Sequence, residues 1–271
     1  MKKQLLMDIN VGLGDHLFVR MFMDGIKDQY DRIAITHSRP AMRFWHHDNQ
    51  ARWDFNLKLA SAVFGEPPYV LVPNAHFPFF PVERLVKEVN NKPVKPNLDC
   101  LCVGKSIGLK YIVITTKARQ FPKIIFDQIK DKITASLQKL ASEHTIVILG
   151  EREVEKTIEY NAEVNRHQVF GLYDYLINIL PPNKVVDLTV PALGVATSAF
   201  SQFQQDCLIM KEADAVVSLG TGGNIWMAAC MAKQSVVLRA DTELDRLGIT
   251  EYPDVSLTKD VDQFTNFLAQ L

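Results

Sequence analysis

A chain of 271 residues with 30 basic and 31 acidic side chains carries a formal charge of −1, which excludes a broad nucleic-acid footprint but not a local patch for phosphates. Its 47% hydrophobic and 23% charged residues are the balance of a soluble globular protein long enough for two domains, and they exclude a disordered or low-complexity chain. No apolar run approaches the ~20 residues that span a bilayer, and Asp8 interrupts the N-terminal MKKQLLMDIN too early for a signal peptide, so a cytoplasmic protein without a transmembrane segment is expected.

Gln4 to Ile9 reads as a first strand, and residues 11 to 16 as a turn into a helix running to about Asp28, with Leu17, Phe18, Met21, Phe22 and Ile26 on one face at helical spacing. Asp15 stands at the expected cap, where a carboxylate accepts a backbone N–H. The dinucleotide fingerprint G-x-G-x-x-G fails here, because Leu17 occupies its third glycine position. After a second strand, Arg32 to Thr36, the chain carries His37, Ser38 and Arg39 where an NAD enzyme carries an acidic residue for the ribose.

A polar aromatic segment containing His46 and His47 precedes a helix from about Trp53 to Phe64, and a strand at Tyr69 to Val72 leads into a second such segment around His76. Loops rich in His, Trp, Phe and Asn suit stacking on sugar rings, and they serve equally as pins against a core. His46 and His47 have no third ligand at useful spacing, so no metal site is read from them. A helix from Val82 to about Asn90 ends in a Pro-, Asn- and Lys-rich stretch to Asn97, which marks the boundary between an N-terminal domain, 1–97, and a C-terminal domain, 98–271.

Beyond it, Leu98 to Val103 reads as a strand on which alternation turns Cys100 and Cys102 to the same face. With Cys207 and Cys230 these make four cysteines in no zinc pattern, expected as reduced, buried small residues. A fresh series of strands and helices follows: a strand at Tyr111 to Thr115, a crossing that includes Arg119, a helix from Pro122 to about Ser142, a strand from His144 to Leu149, and a helix start at Glu151 to Glu153. Then come a helix near Tyr173 to Ile179, a strand at Lys184 to Leu188, and a helix from about Ser198 to Glu212. The series closes on a strand (Ala215 to Leu219), a glycine-rich turn (Gly220 to Asn224), a helix (Ile225 to Met231) and a strand (Ser235 to Leu238), beyond which no element is assigned.

Such a turn directs backbone N–H groups at the positive end of a helix, where Gly222 and Gly223 let a phosphate approach and Thr221 adds a hydroxyl. Glycines there also serve any tight passage from strand to helix. Alternating strands and helices in both halves predict α/β layers with parallel sheets, and ligands of such sheets bind beyond the carboxyl ends of the strands, where Asp15, Arg119, Glu151 and Thr221 all fall. Each also has an ordinary role, Arg119 as a solvated charge and Glu151 and Glu153 as anions at a helix start.

The sequence GLGDHLFVRMFMDGIK resembles the opening of the lipopolysaccharide heptosyltransferases, glycosyltransferase family 9. Four later stretches continue the likeness in order: YIVITTKARQFP, TIVILGERE, VVDLT and EADAVVSLGTGGNIWMAACMAKQSVVL. The resemblance implies the GT-B fold, two Rossmann-like domains facing a central cleft, and an inverting, metal-independent transfer of a sugar from a nucleotide-diphosphate donor to a carbohydrate or glycolipid acceptor, with no cofactor. On the same basis Asp15, beside Gly14, is the general base. Gly14 is expected on the donor side, Arg119, Thr221, Gly222, Gly223 and Asn224 bind the diphosphate, Glu151 or Glu153 the ribose or base, and His46, His47 and His76 are expected on the acceptor side.

Two departures stand out: Gly220 replaces the family's aspartate and Ile225 its histidine, both polar contacts to the donor. A non-catalytic binder of nucleotide-sugars or glycans, and a nucleotide-sugar epimerase, are therefore retained as alternatives, the latter because fold does not fix chemistry. Reduction with NADP through Ser38 and Arg39 has the weakest support.

Overall fold

A computed structural model of the chain describes residues 3–8, 13–36, 50–72, 85, 87, 93–118, 123–150, 152, 170–190, 199–220, 223–239 and 252–271. The expected alternation of strand and helix is present. β1 (Gln4–Asp8), β2 (Arg32–Thr36) and β3 (Tyr69–Leu71) form a parallel three-stranded sheet, with α1 (Leu13–Met23) and α2 (Gln50–Phe64) in the connections.

A second sheet is separate from it. Its strands are β4 (Tyr111–Thr115), β6 (Thr145–Leu149), β8 (Val185–Asp187), β9 (Ala215–Leu219), β10 (Ser235–Leu238) and β11 (Val255–Thr258), all parallel in the order β11-β10-β9-β4-β6-β8. The connecting helices are α3 (Lys123–Glu143), α4 (Tyr173–Ile179), α5 (Ala199–Glu212) and α6 (Gly223–Met231), and α7 (Val261–Leu268) follows β11. A short antiparallel pair, β5 (Lys117–Ala118) with β7 (Phe170–Gly171), sits beyond the end of β4.

Period-two alternation divides the core of the large sheet. Tyr111 and Val113 of β4 face the cluster that holds α5 and α6, while Ile112 and Ile114 face the one that holds α3, α4 and α7. The first cluster does not stop at its own helices. It continues through Phe18, Met21 and Phe22 of α1 and Leu59, Val63 and Phe64 of α2 to Ile33 and Ile35 of the small sheet. The described residues are thus layered as sheet, helices, helices, sheet, helices, with one apolar core through the first four of these layers.

The two middle helix layers meet chiefly where α1 lies on α6. Phe18 packs edge-on against Trp226 with centroids 4.6 Å apart, and Cys230 at the other end of α6 feels the charges of Arg20 and Asp24 from the last turns of α1. The helices therefore run the same way, and their N-termini open on the same side. Residues 93–97, the described part of the stretch expected as a linker, clamp this arrangement: the Val94 amide donates to the Met21 carbonyl at 2.9 Å, and the Lys95 ammonium reaches the Ala232 carbonyl and the Asp254 carboxylate. At the far end of α1, buried Arg20 donates to Asp24 at 2.9 Å and to the Val63 carbonyl, and its guanidinium lies 4.3 Å from the centroid of Tyr69, whose hydroxyl donates to Asp24 at 2.7 Å.

Several expectations are corrected. Leu98 to Val103 is not a strand: the Asn97 side chain accepts the Asp99 amide at 3.1 Å, residues 99–101 make a 3-10 turn, and the buried residues Leu98 and Leu101 are spaced by three rather than two. Cys100 and Cys102 consequently do not share a strand face; Cys100 is exposed and its thiol donates to the Ala62 carbonyl, while Cys102 lies beside the Met231 sulfur. Helix α1 ends at Met23 rather than Asp28, because i→i+3 bonds from Gly25 and Ile26 tighten the chain towards a 3-10 turn at Lys27–Gln29. Of the expected helix 82–90, only residues 85 and 87 are described, and both are helical. β11 and α7 were not expected; α7 begins at an Asp260 cap whose carboxylate accepts the amides of Asp262 and Gln263.

Asp206 of α5 is 6% exposed, and its carboxylate accepts the Gln202 side-chain amide at 2.7 Å. Burial raises its pKa to about 7 against the opposing effect of that bond. Between about pH 4 and pH 7 the folded chain keeps a proton that the unfolded chain has released, so stability falls as pH rises through this window and levels off above it. Asp206→Asn should remove that slope and raise stability at pH 8 by on the order of 1–3 kcal/mol, read from urea unfolding across pH.

Candidate functional site

The large sheet reverses its direction of growth between β4 and β9. From β4 the chain adds β6 and then β8 on one side, and afterwards β9, β10 and β11 on the other. At such a reversal the connections leave to opposite faces and open a crevice at the carboxyl ends of the two central strands. Here those ends are joined beneath the crevice by a buried hydrogen bond between the Thr115 and Ser218 hydroxyls, 2.9 Å long. The strands otherwise bury apolar side chains, so a paired hydroxyl on each fixes their register without leaving an unsatisfied polar atom.

Two turns on this edge depend on glycine. Gly220, directly after β9, has φ +77°, and its amide donates to the Leu238 carbonyl at 2.6 Å, which carries the pairing of β9 with β10 one residue further. Gly150, directly after β6, has φ +116°, and a Cβ there would lie 2.7 Å from the Thr116 hydroxyl. The Gly150 carbonyl accepts the Val190 amide at 2.9 Å, and the Arg152 amide donates to the Val190 carbonyl at 2.9 Å, so the chain after β6 is pinned to the end of β8.

That corner carries a polar network. Asp187 accepts from the Thr189 amide at 2.9 Å, from the Thr189 hydroxyl and from the Tyr173 hydroxyl at 2.8 Å, and it pairs with Arg152 at 3.3 Å. Arg152 also donates to the Thr189 hydroxyl at 2.8 Å and lies over the Tyr173 ring at 5.4 Å. Burial acts to raise the Asp187 pKa, but the bonds from Thr189 and Tyr173 and the charge of Arg152 outweigh it and hold the carboxyl below its ordinary range. The Tyr173 hydroxyl is pushed up chiefly by its bond to Asp187. The network orders the β6 and β8 ends and presents a cation and an aromatic face to the edge.

The remaining residues expected in a site fall as follows. Gly14 and Asp15 lie in the first turn of α1; since α1 starts at Leu13, Asp15 is its third residue and not its cap. Gly223 and Asn224 open α6. Because α1 and α6 run side by side in the same direction, these two helix starts are neighbours on the edge where the strands of the large sheet end. Arg119, Glu151, Glu153, Thr221, Gly222, His46, His47 and His76 lie outside the described residues. Ile225, where the resembled family has histidine, is 1% exposed and belongs to the core.

The sequence reading did not single out Arg152, Thr189, Asp187 or Tyr173. Their signal was faint, since their partners are up to 37 residues apart. Among the described residues no three of His, Cys, Asp and Glu come together as metal ligands, and no helix is long and apolar enough to cross a membrane.

No protein-family model matches the sequence, and no curated protein sequence does. Solved structures do resemble it. The glycosyltransferase family 9 structure from Veillonella parvula is 8% identical with a TM-score of 0.51, over 99% of this chain and 89% of that one. ADP-heptose LPS heptosyltransferase II of E. coli is 12% identical with a TM-score of 0.46, over 99% of each chain. TibC from enterotoxigenic E. coli H10407, described as an iron-containing dodecameric glycosyltransferase, is 12% identical with a TM-score of 0.46; the match covers 96% of this chain but 63% of TibC. The fold is thus α/β with parallel sheets, similar to that of a family 9 glycosyltransferase.

Gly150→Ala should destabilise the chain by about 1–3 kcal/mol, because the added Cβ meets both a disfavoured φ and the Thr116 hydroxyl. Chemical denaturation of the variant beside the parent measures it.

Proposed function

We propose that the protein is a glycosyltransferase of the family 9 type, with an acceptor-side domain at 1–97 and a donor-side domain at 98–271 in a GT-B arrangement. It moves a sugar from a nucleoside-diphosphate donor to the hydroxyl of a carbohydrate or glycolipid acceptor. The observation that carries the reading is the pairing of α1 and α6 with their N-termini on one side, above the β4/β9 reversal, in a fold like that of the Veillonella parvula enzyme.

Chemically the reading needs two things from adjacent places: a base for the attacking hydroxyl and a cradle for the departing diphosphate. Asp15, in the first turn of α1, takes the proton from the acceptor hydroxyl. The acceptor oxygen forms its bond to the anomeric carbon from the face opposite the bond that breaks, the one to the phosphate oxygen, so configuration inverts. The electron pair leaves with the diphosphate. Backbone amides at the start of α6, with Thr221, Gly222, Gly223 and Asn224, meet that growing charge, and Arg119 neutralises it without a metal. Glu151 or Glu153 holds the ribose, since β6 ends about 10 Å from β9, two strand spacings. His46, His47 and His76 line the acceptor side.

A second reading is binding without turnover. It is favoured by the burial of Ile225 and by the absence of a side chain at Gly220, which together remove two donor contacts of the resembled family. Nucleotide-sugars would then stabilise the fold, by ~2.7 kcal/mol at a hundred times the dissociation constant, and yield no product.

Incubation with a panel of nucleotide-sugars and carbohydrate acceptors should give transfer that Asp15→Ala slows by ~10²–10⁴-fold, while the variant still gains thermal stability from nucleoside diphosphates. Equal transfer by the two proteins would remove Asp15 as the base.

A further inference from the structure

In the chain order Glu151, Arg152, Glu153 an arginine stands between two glutamates, the pair to which the ribose is assigned above. A guanidinium takes carboxylates through paired N–H groups. Unless it is drawn elsewhere, Arg152 competes with any ligand for the carboxylates beside it.

Three groups draw it to the β8 side. The Arg152 Nε–H donates to the Thr189 hydroxyl at 2.8 Å, a terminal nitrogen stands 3.3 Å from the Asp187 carboxylate, and the guanidinium lies over the Tyr173 ring at 5.4 Å. Thr189 is buried, and its hydroxyl gives its one proton to Asp187 while accepting from Arg152, which fixes its orientation. Asp187 is held from two more sides, by the Thr189 amide at 2.9 Å and the Tyr173 hydroxyl at 2.8 Å. These groups are in turn tied to strand ends. Tyr173 follows Leu172, whose amide donates to the Thr116 carbonyl at 2.7 Å, and Thr189 precedes Val190, which exchanges bonds with Gly150 and Arg152 at 2.9 Å. The guanidinium is thus anchored by groups from two other stretches of chain, each fixed by its own backbone.

We infer that Asp187 and Thr189 are positioning residues for donor binding: they hold the Arg152 guanidinium at the end of β8 and so keep it from quenching the carboxylates of Glu151 and Glu153, which the ribose needs. This rests on the ribose assignment proposed above and names what keeps those carboxylates available. Asp187 acts here without touching the ligand. Its negative charge, rather than its bulk, is what counts, because a neutral side chain of the same shape would release the guanidinium to its neighbours.

Calorimetric titration of the full chain with ADP, GDP, UDP and CDP and with inorganic pyrophosphate tests it. Asp187→Asn keeps the shape and removes the charge, and a partly exposed ion pair adds little to stability, so the variant should fold, as a thermal melt reports. For whichever nucleotide the parent binds, Asp187→Asn should weaken binding by about 10-fold or more, and that of pyrophosphate, which has no ribose, by less than about twofold. Adding Arg152→Gln to that variant should recover most of the lost affinity, a gain that a merely loosened corner would not give. Thr189→Val removes one anchor and no charge, and should weaken the nucleotide by about two- to fivefold; it takes the place of Asp187→Asn if that variant does not fold. Unchanged nucleotide affinity in the folded variant, equal loss for nucleotide and pyrophosphate, or no recovery on adding Arg152→Gln overturns the inference and leaves the sugar-transfer reading standing. Failure of the parent to bind any of the four nucleotides overturns both.

Discussion

Everything at the candidate site depends on the burial of α1 against α6. Phe18 and Trp226 stand in contact at 4.6 Å, Phe22 continues the aromatic contact on one side at 4.8 Å and Tyr252 on the other at 5.4 Å. Side chains of this size bury roughly 150–250 Å² each, so the Phe18 and Trp226 pair alone contributes on the order of 5–10 kcal/mol of transfer free energy as an upper bound at ~25 cal/mol per Å². The stripe fixes which helix ends are neighbours. Two helices that share a direction bring the positive ends of both dipoles to one place, an arrangement that favours an anion there and disfavours an empty apolar surface.

Polar interactions then shape the edge that this packing creates. The Thr115 to Ser218 bond ties the strands on either side of the reversal, and Asp187 gathers Thr189, Tyr173 and Arg152 where β6 and β8 end. The first holds a floor, being buried and fully paired, whereas the second is partly exposed and keeps donors facing outward. Lys95, Arg20 and Asp24 work at the opposite end of the helix pair, where they close the packing.

Much of the fold was legible because its strands are short apolar runs with unambiguous neighbours. Tyr111 to Thr115, Ala215 to Leu219 and Ser235 to Leu238 coincide with β4, β9 and β10, since strands buried on both faces leave little room for another reading. Failures occurred where a local hydrogen bond overrode the pattern. Asn97 turned Leu98 to Val103 into a 3-10 turn, and the C-terminal strand and helix went unassigned although Asp260 supplies a helix cap. The candidate site was legible only in part: GLGD and the turn after β9 announce helix starts, but nothing local announces the joining of Arg152 and Tyr173 to Asp187 and Thr189.

The sequence by itself determined the alternation of strand and helix, the glycine positions that permit the turns after β6 and β9, and a resemblance carried by short motifs in a constant order. Those are properties of neighbouring residues, governed by periodicity and backbone sterics. Only the tertiary structure decided the strand order, the shared direction of α1 and α6, and the packing of Tyr252 on Trp226. Each of these joins parts of the chain that no local rule connects, and each is settled by which apolar surfaces bury one another.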